Sequence, residues 1–167
     1  MPSRPTAAQR RLAALREALG AQRAALDLAP YDGPDRPAAL LDACVAAVLE
    51  AYDRGAAPER AAVRAAVRGT LDELSARAPG HSLEVRVPPY GAVQAVEGPR
   101  HTRGTPPGVV ETDPRTWLEL AAGRRSWDAA VDGHAVAASG ERADLGPFLP
   151  LGDGDRAPGG TPGPGRH

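Results

Sequence analysis

The chain has 167 residues, 42% of them hydrophobic, with 20 basic and 21 acidic side chains and a formal charge of -1. A chain of this length buries roughly two-thirds of its unfolded surface and needs no metal or disulfide staple, while so balanced a charge excludes the one-signed field that a nucleic-acid partner requires. Lysine is absent, which excludes a Schiff base or phosphate-loop lysine; the single Cys44 excludes an internal disulfide and suits a reducing cytoplasm; and no apolar run reaches membrane-spanning length.

Residues 1–5 form a polar lead expected to be disordered. Thr6 opens the first helix, with Gln9 at capping-box spacing, and Leu12, Leu15, Leu19, Gln22 and Leu26 step by three and four as a narrow seam. A Gly, Pro and Asp-rich break over residues 30–37 follows, with Asp35 placed to cap a second helix that buries Leu41, Val45, Val48 and Tyr52 and stops at Gly55. Cys44 lies beside that face without a His or basic cluster, which reads as a small buried hydrophobe. A third helix from Pro58 has Val63, Val67, Leu71 and Leu74 on its dry side and Arg60, Arg64 and Arg68 on its wet side. Its front neighbours are Ala-rich, so this half depends on the rest of the chain for apolar burial.

From Ser82 the period changes to alternation: Leu83, Val85 and Val87 on one face, Glu84 and Arg86 on the other, a half-buried strand. Pro88 and Pro89 force a corner into a second strand over residues 90–97, and a Gly/Pro loop over residues 98–108 carries Arg100, His101 and Arg103. After Val109 and Val110, Asp113 and Pro114 start a helix that presents Trp117, Leu120 and Ala121 and ends at Gly123. Ser126 starts another, with Trp127, Ala130 and Val131 at the same spacing and Gly133 as its left-handed closing residue. Residues 134–139 read as a strand, after which Asp144 caps a last turn with Leu145, Phe148 and Leu149. Both tryptophans and the only phenylalanine fall in this stretch. The tail, residues 152–167, has almost no apolar content and is expected to be disordered.

The words VRVPPYGAVQAVEGPRHTRGTPPGVVETDP (residues 85–114), TWLELAAGRRSW (116–127) and ASGERADL (138–145) are similar to those of actinobacterial sterol-carrier-like proteins, a bacterial branch of the sterol carrier protein domain family. Arg-only basic residues and the lack of Ile and Asn fit a GC-rich genome. The resemblance implies an α+β fold: a small, mainly antiparallel sheet with helices packed on one face over residues 58–151, preceded by a helical extension over residues 6–57. It also implies an apolar tunnel for fatty acyl chains or sterols. Here the strands are short, Phe and Met are scarce, and the chain ends after one helical turn where larger relatives have a further helix.

In such a cavity Trp117, Leu120, Trp127, Val131, Val136, Leu145 and Phe148 form the walls, and Leu83, Val85 and Val93 the floor. Arg100, His101 and Arg103 suit a carboxylate or phosphate head group. Nothing argues for catalysis: Asp113 is accounted for as a cap, which leaves Glu111 without a partner, and neither GxGxxG nor GxxxxGK is present. The expectation is a non-enzymatic binder of a small apolar or acyl molecule, with no metal or cofactor. Two alternatives stand beside it. One is a ligand-free interaction module that self-associates through the Leu12 to Leu26 seam. The other is the accessory domain of a mycothiol-dependent enzyme, although no His precedes His81 to hold that family's zinc.

Overall fold

The computed structural model describes residues 1, 3–98 and 108–152. Three long helices, α1 (Ala7–Ala25), α2 (Pro37–Asp53) and α3 (Arg60–Arg77), precede strands β1 (Leu83–Val87), β2 (Gly91–Ala95) and β3 (Gly108–Thr112). Helices α4 (Pro114–Ala121) and α5 (Trp127–Asp132) then lead to β4 (Val136–Ser139) and a 3-10 turn at Gly146–Phe148. The class is α+β, as expected.

The capping box forms: Gln9 N–H donates to Thr6 Oγ1 at 3.1 Å and Thr6 N–H to Gln9 Oε1 at 2.7 Å. Asp35 does not cap α2. Arg16 holds its two oxygens at 2.6 and 2.7 Å, and Arg36 stands at the cap position without a side-chain bond. Most of the α1 seam packs within the chain: Leu19, Gln22 and Leu26 are buried, and Leu12 and Leu15 are partly covered by the same core. Gln22 Oε1 accepts from Glu59 N–H at 2.8 Å, joining the end of α1 to the start of α3. Cys44 Sγ donates to Ala62 O at 3.5 Å, and Leu41 packs so tightly on Gly69 that a Cβ there would lie 2.5 Å from it. Together these contacts set α1 and α2 parallel and α3 antiparallel to both. The connector between α1 and α2 therefore runs back along α1, which brings Asp35 to Arg16. Central α2 is apolar nearly all round, with Leu40, Leu41, Cys44, Val45, Ala47, Val48, Leu49 and Ala51 buried.

The sheet has the order β2-β1-β3-β4. β1 pairs antiparallel with β2 (Val85 opposite Val93) and parallel with β3 (Val85 opposite Val110), and β3 pairs antiparallel with β4 (Val110 opposite Ala138). It is a mixed sheet in which antiparallel pairing predominates. The predicted alternation holds in β1: Leu83, Val85 and Val87 are fully buried, while Glu84 and Arg86 pair on the outer face at 2.9 Å. Strands β2 and β4 are shorter than the runs that suggested them, because Val96 (φ 67) and His134 (φ 58) leave the extended region. Val96 is held there by Ala78 O on its N–H at 2.7 Å and by Ser82 Oγ on its carbonyl at 2.7 Å. Gly80 makes this possible, since a Cβ on it would lie 2.1 Å from Val96 O.

Asp113 caps α4, accepting from Thr116 N–H at 3.0 Å and Thr116 Oγ1–H at 2.7 Å, and Ser126 caps α5, accepting from Ala129 N–H at 3.1 Å. Gly133 is not the left-handed residue. It continues the last turn, donating to Ala129 O at 3.0 Å, so the reversal falls on His134. A single hydrophobic cluster joins helices and sheet, running from Leu19 and Val48 through Val67 and Leu74 to Val85, Val110, Trp117 and Leu145.

Candidate functional site

Six of the ten expected cavity residues, Leu83, Val85, Trp117, Leu120, Val136 and Leu145, are core residues at 7% exposure or less. Trp117 is locked: its indole N–H donates to Thr70 Oγ1 at 2.8 Å, and the Thr70 hydroxyl reaches Ala66 O at 2.7 Å. Phe148 is partly buried against the same cluster. Val131 is 37% exposed, which corrects its expected place on the inner wall. In the six-residue α5, Ala130 takes the inward position and Val131 is turned about 100° away from it.

Among the described residues, three surface hollows stand out beside this core. Leu120 and Trp127 line one of about 510 Å³ beside the 3-10 turn. A second, of about 590 Å³, lies between α1 and the connector, against Leu19, Gly20, Arg23 and Tyr31. The largest, about 880 Å³, is a groove between α1 and α3 that reaches the start of α2 and β2. Leu15, Leu41, Ala65, Leu71 and Val93 line it, with Arg11, Arg64 and Arg68 among its charged residues. Only Val93 of the expected cavity residues belongs to it. Arg100, His101 and Arg103 lie outside the described residues.

The groove has a simple origin in the sequence. Ala61 and Ala65 stand one turn apart on α3, small side chains beside the arginine stripe that leave a trough α1 does not fill, while Leu41 takes the space over Gly69. Arg68 is fixed over the mouth by donation from Nε to Tyr90 O at 3.0 Å. Among the described residues Arg11, Arg64 and Arg68 form no ion pair, although Arg16, Arg54, Arg86, Arg115, Arg124 and Arg125 do. Asp72 lies one turn beyond Arg68 on the same wall, with Glu73 next to it in sequence. Arg64 and Arg68 read in the sequence as a solvated stripe and Leu15 as seam. The row of small residues beside them was the available signal.

Other candidates for chemistry are occupied structurally. Cys44 is fully buried, and desolvation pushes its thiol up to about 12. Arg115, Glu119, Arg124 and Arg125 form an ion-pair network with Asp53, and the Arg115 guanidinium lies 5.5 Å from the centre of the Tyr52 ring. Arg77 grips the end of the described chain, donating to Pro150 O at 2.6 Å and Gly152 O at 2.7 Å, while Leu151 N–H bonds Ala121 O at 2.9 Å.

The sequence profile of a family described as a bacterial SCP ortholog matches residues 59–151, from the residue that caps α3 to the buried Leu151. The chain belongs to this bacterial sterol-carrier-like family. No curated protein matches it. The sterol-carrier-like segment supplies α3, the sheet, α4, α5 and the 3-10 turn, while α1 and α2 lie outside the match. The groove therefore straddles the family segment and the helices in front of it. Among the described residues no His, Cys, Asp and Glu cluster could hold a metal ion, and no helix is long and apolar enough to cross a membrane.

Proposed function

We propose that this protein binds and carries a small apolar or acyl, lipid-like molecule without altering it chemically, in the cytoplasm of an actinobacterium, and that the site is the groove between α1 and α3. The observation that carries this reading is the groove itself. At about 880 Å³ it is within the range of small-molecule sites, and Leu15, Leu41, Leu71 and Val93 give it an apolar lining. Membership of the sterol-carrier-like family supports the ligand class. The buried Cys44, and Asp113 bound as a helix cap, are placed for structure, which supports a carrier over an enzyme. The buried free thiol also favours a reducing compartment.

Burying an alkyl chain contributes about 0.8 kcal/mol per methylene, so a partly enclosed chain accounts for useful affinity without any reaction. A ligand-free interaction module is the second reading, and the dense packing around Trp117, Leu120 and Leu145 favours it. Native mass spectrometry of the full chain purified from a bacterial host, followed by organic extraction, decides between them. A stoichiometric lipid or acyl species is the expected result. An empty protein that takes up no fluorescent acyl chain refutes the carrier.

A further inference from the structure

We propose that the hollow between α1 and its connector to α2 is a second binding site, built for a small aromatic monocarboxylate: Gly20 admits the ring and Arg23 meets the acid. All its lining residues precede the family-matched segment, and it shares none of them with the groove between α1 and α3, so it stands independently of the carrier reading.

Gly20 is the first observation. A glycine in the middle of a helix weakens it, and packing gives no reason for this one, because a Cβ there would meet nothing within 4 Å. What glycine supplies at this place is an opening. Arg16, Gly20 and Arg23 stand at i, i+4 and i+7 on one face of α1, so two guanidiniums flank the gap.

The space over Gly20 is held open by polar bonds. At one end Arg16 clasps Asp35, with Nε and Nη2 at 2.6 and 2.7 Å from its two oxygens, and at the other Arg23 Nε donates to Ala29 O at 2.6 Å. Between these clasps Tyr31 is folded back on its own loop. Its hydroxyl donates to Pro34 O at 2.9 Å, and the close approach requires glycine at position 33, where a Cβ would lie 2.5 Å from the Tyr31 oxygen. Tyr31, Pro30, Leu19, Leu28, Leu40 and the bare backbone of Gly20 then border about 590 Å³, a volume suited to a small molecule.

Charge and length select the occupant. Arg16 is already neutralised by Asp35, whereas Arg23 forms no ion pair among the described residues. Its bond to Ala29 runs through Nε and leaves the terminal N–H groups for an anion. One unmatched positive charge calls for one acid. The two clasps start from residues seven apart, about 10.5 Å along the helix, which closes the hollow to a long alkyl chain. A ring over Gly20 lies about 4.5 Å along the axis from Arg23, a distance that an arm of two carbons covers. Tyr31 and Pro30 offer that ring flat apolar surfaces.

The test is isothermal titration calorimetry of the full chain with hydrocinnamic acid, with its amide, and with octanoic acid, which carries the same charge on a chain without a ring. Wild type is expected to bind hydrocinnamate about tenfold more tightly than the amide and roughly fivefold more tightly than octanoate. Gly20→Leu fills the opening and improves the helix, so binding is expected to weaken at least about tenfold while the melting temperature holds or rises. Arg23→Met is expected to bind acid and amide alike, and Arg23→Lys to restore part of the preference. Ala14→Trp, which fills the groove between α1 and α3, is expected to leave all three titrations unchanged.

A wild type that binds none of the three overturns the site, and so does undiminished binding by Gly20→Leu. Binding lost in Ala14→Trp and kept in Gly20→Leu overturns it too, by placing the ligand in the other groove. Equal affinity for hydrocinnamate and its amide overturns the selection by charge, as does an Arg23→Met variant that keeps the preference or loses both ligands. Equal affinity for octanoate overturns the selection of a ring.

Discussion

Trp117 offers the sharpest test of how this fold is held together. Its side chain is fully buried, and its N–H meets Thr70 Oγ1 at 2.8 Å, tying α4 to α3. Truncation to Ala removes the bulkiest side chain of the core and leaves a cavity, costing about 3–5 kcal/mol. Against a total stability of about 5–15 kcal/mol, that is severe, and it lowers the melting temperature by about 2–4 °C per kcal/mol for a chain of this size. Trp117→Phe keeps most of the packing and loses the hydrogen bond, for about 1–2 kcal/mol. Thr70→Val leaves the indole N–H buried without its partner, for about 1–3 kcal/mol. The double variant Trp117→Phe with Thr70→Val costs less than the sum, because the stranded donor is gone. Urea unfolding followed by far-ultraviolet circular dichroism measures all four variants, and Trp127 serves as an independent fluorescent probe. If Trp117→Ala costs under about 1 kcal/mol yet abolishes acyl uptake, Trp117 lines a ligand cavity and the packing argument is wrong.

Glycine substitutions divide by backbone conformation. Gly20→Ala meets nothing within 4 Å and should stabilise by about 0.5–1 kcal/mol in the middle of α1, whereas Gly80→Ala, at φ +151 against Val96 O, should destabilise strongly; thermal melts compare them. Arg77→Met removes the grip on Pro150 and Gly152, and amide exchange at Leu151 should quicken well before global unfolding. The Cys44 thiol should resist iodoacetamide at pH 8 except through unfolding. Because its folded value is raised, stability is unaffected below its ordinary value near 9.0 and falls as pH climbs from there toward about 12, which alkaline denaturation series can measure. The hydrogen bond from Arg16 lowers the Asp35 value, so that pair's contribution is present above the ordinary carboxylate range and disappears as pH falls through the lowered value; Arg16→Gln should return the Asp35 midpoint, followed by NMR, to normal.

The elements most legible from the residues were those governed by local chemistry. Thr6 with Gln9, Asp113 with Pro114, and Ser126 start helices because each satisfies its own first turn, and β1 alternates because one face is dry and the other wet. What was not legible depended on neighbours distant in sequence. Asp35 is a good cap in isolation, but the connector lays it beside Arg16, and the ion pair takes its oxygens. Gly133 is suited to a left-handed turn, but one more residue of helix moved that turn to His134. Six of the expected cavity residues, from Leu83 to Leu145, do share one buried cluster, yet apolar grouping describes a packed interior as well as a lined one. The groove arises from what is missing between two helices, and the small residues Ala61 and Ala65 signal it only once α1 is known to lie alongside.

The bond between Gln22 and the backbone of Glu59 has a consequence for what counts as a unit in this molecule. The segment that relatives share begins at the residue whose N–H is bound by a side chain from outside it. Inheritance and folding therefore have different borders here. The recognisable part is a fragment in the physical sense, with Ala62 and Gly69 of α3 covered by Cys44 and Leu41 of α2, a helix that the family profile does not include. Helices α1 and α2 thus share one hydrophobic core with the sheet although they lie outside the shared segment.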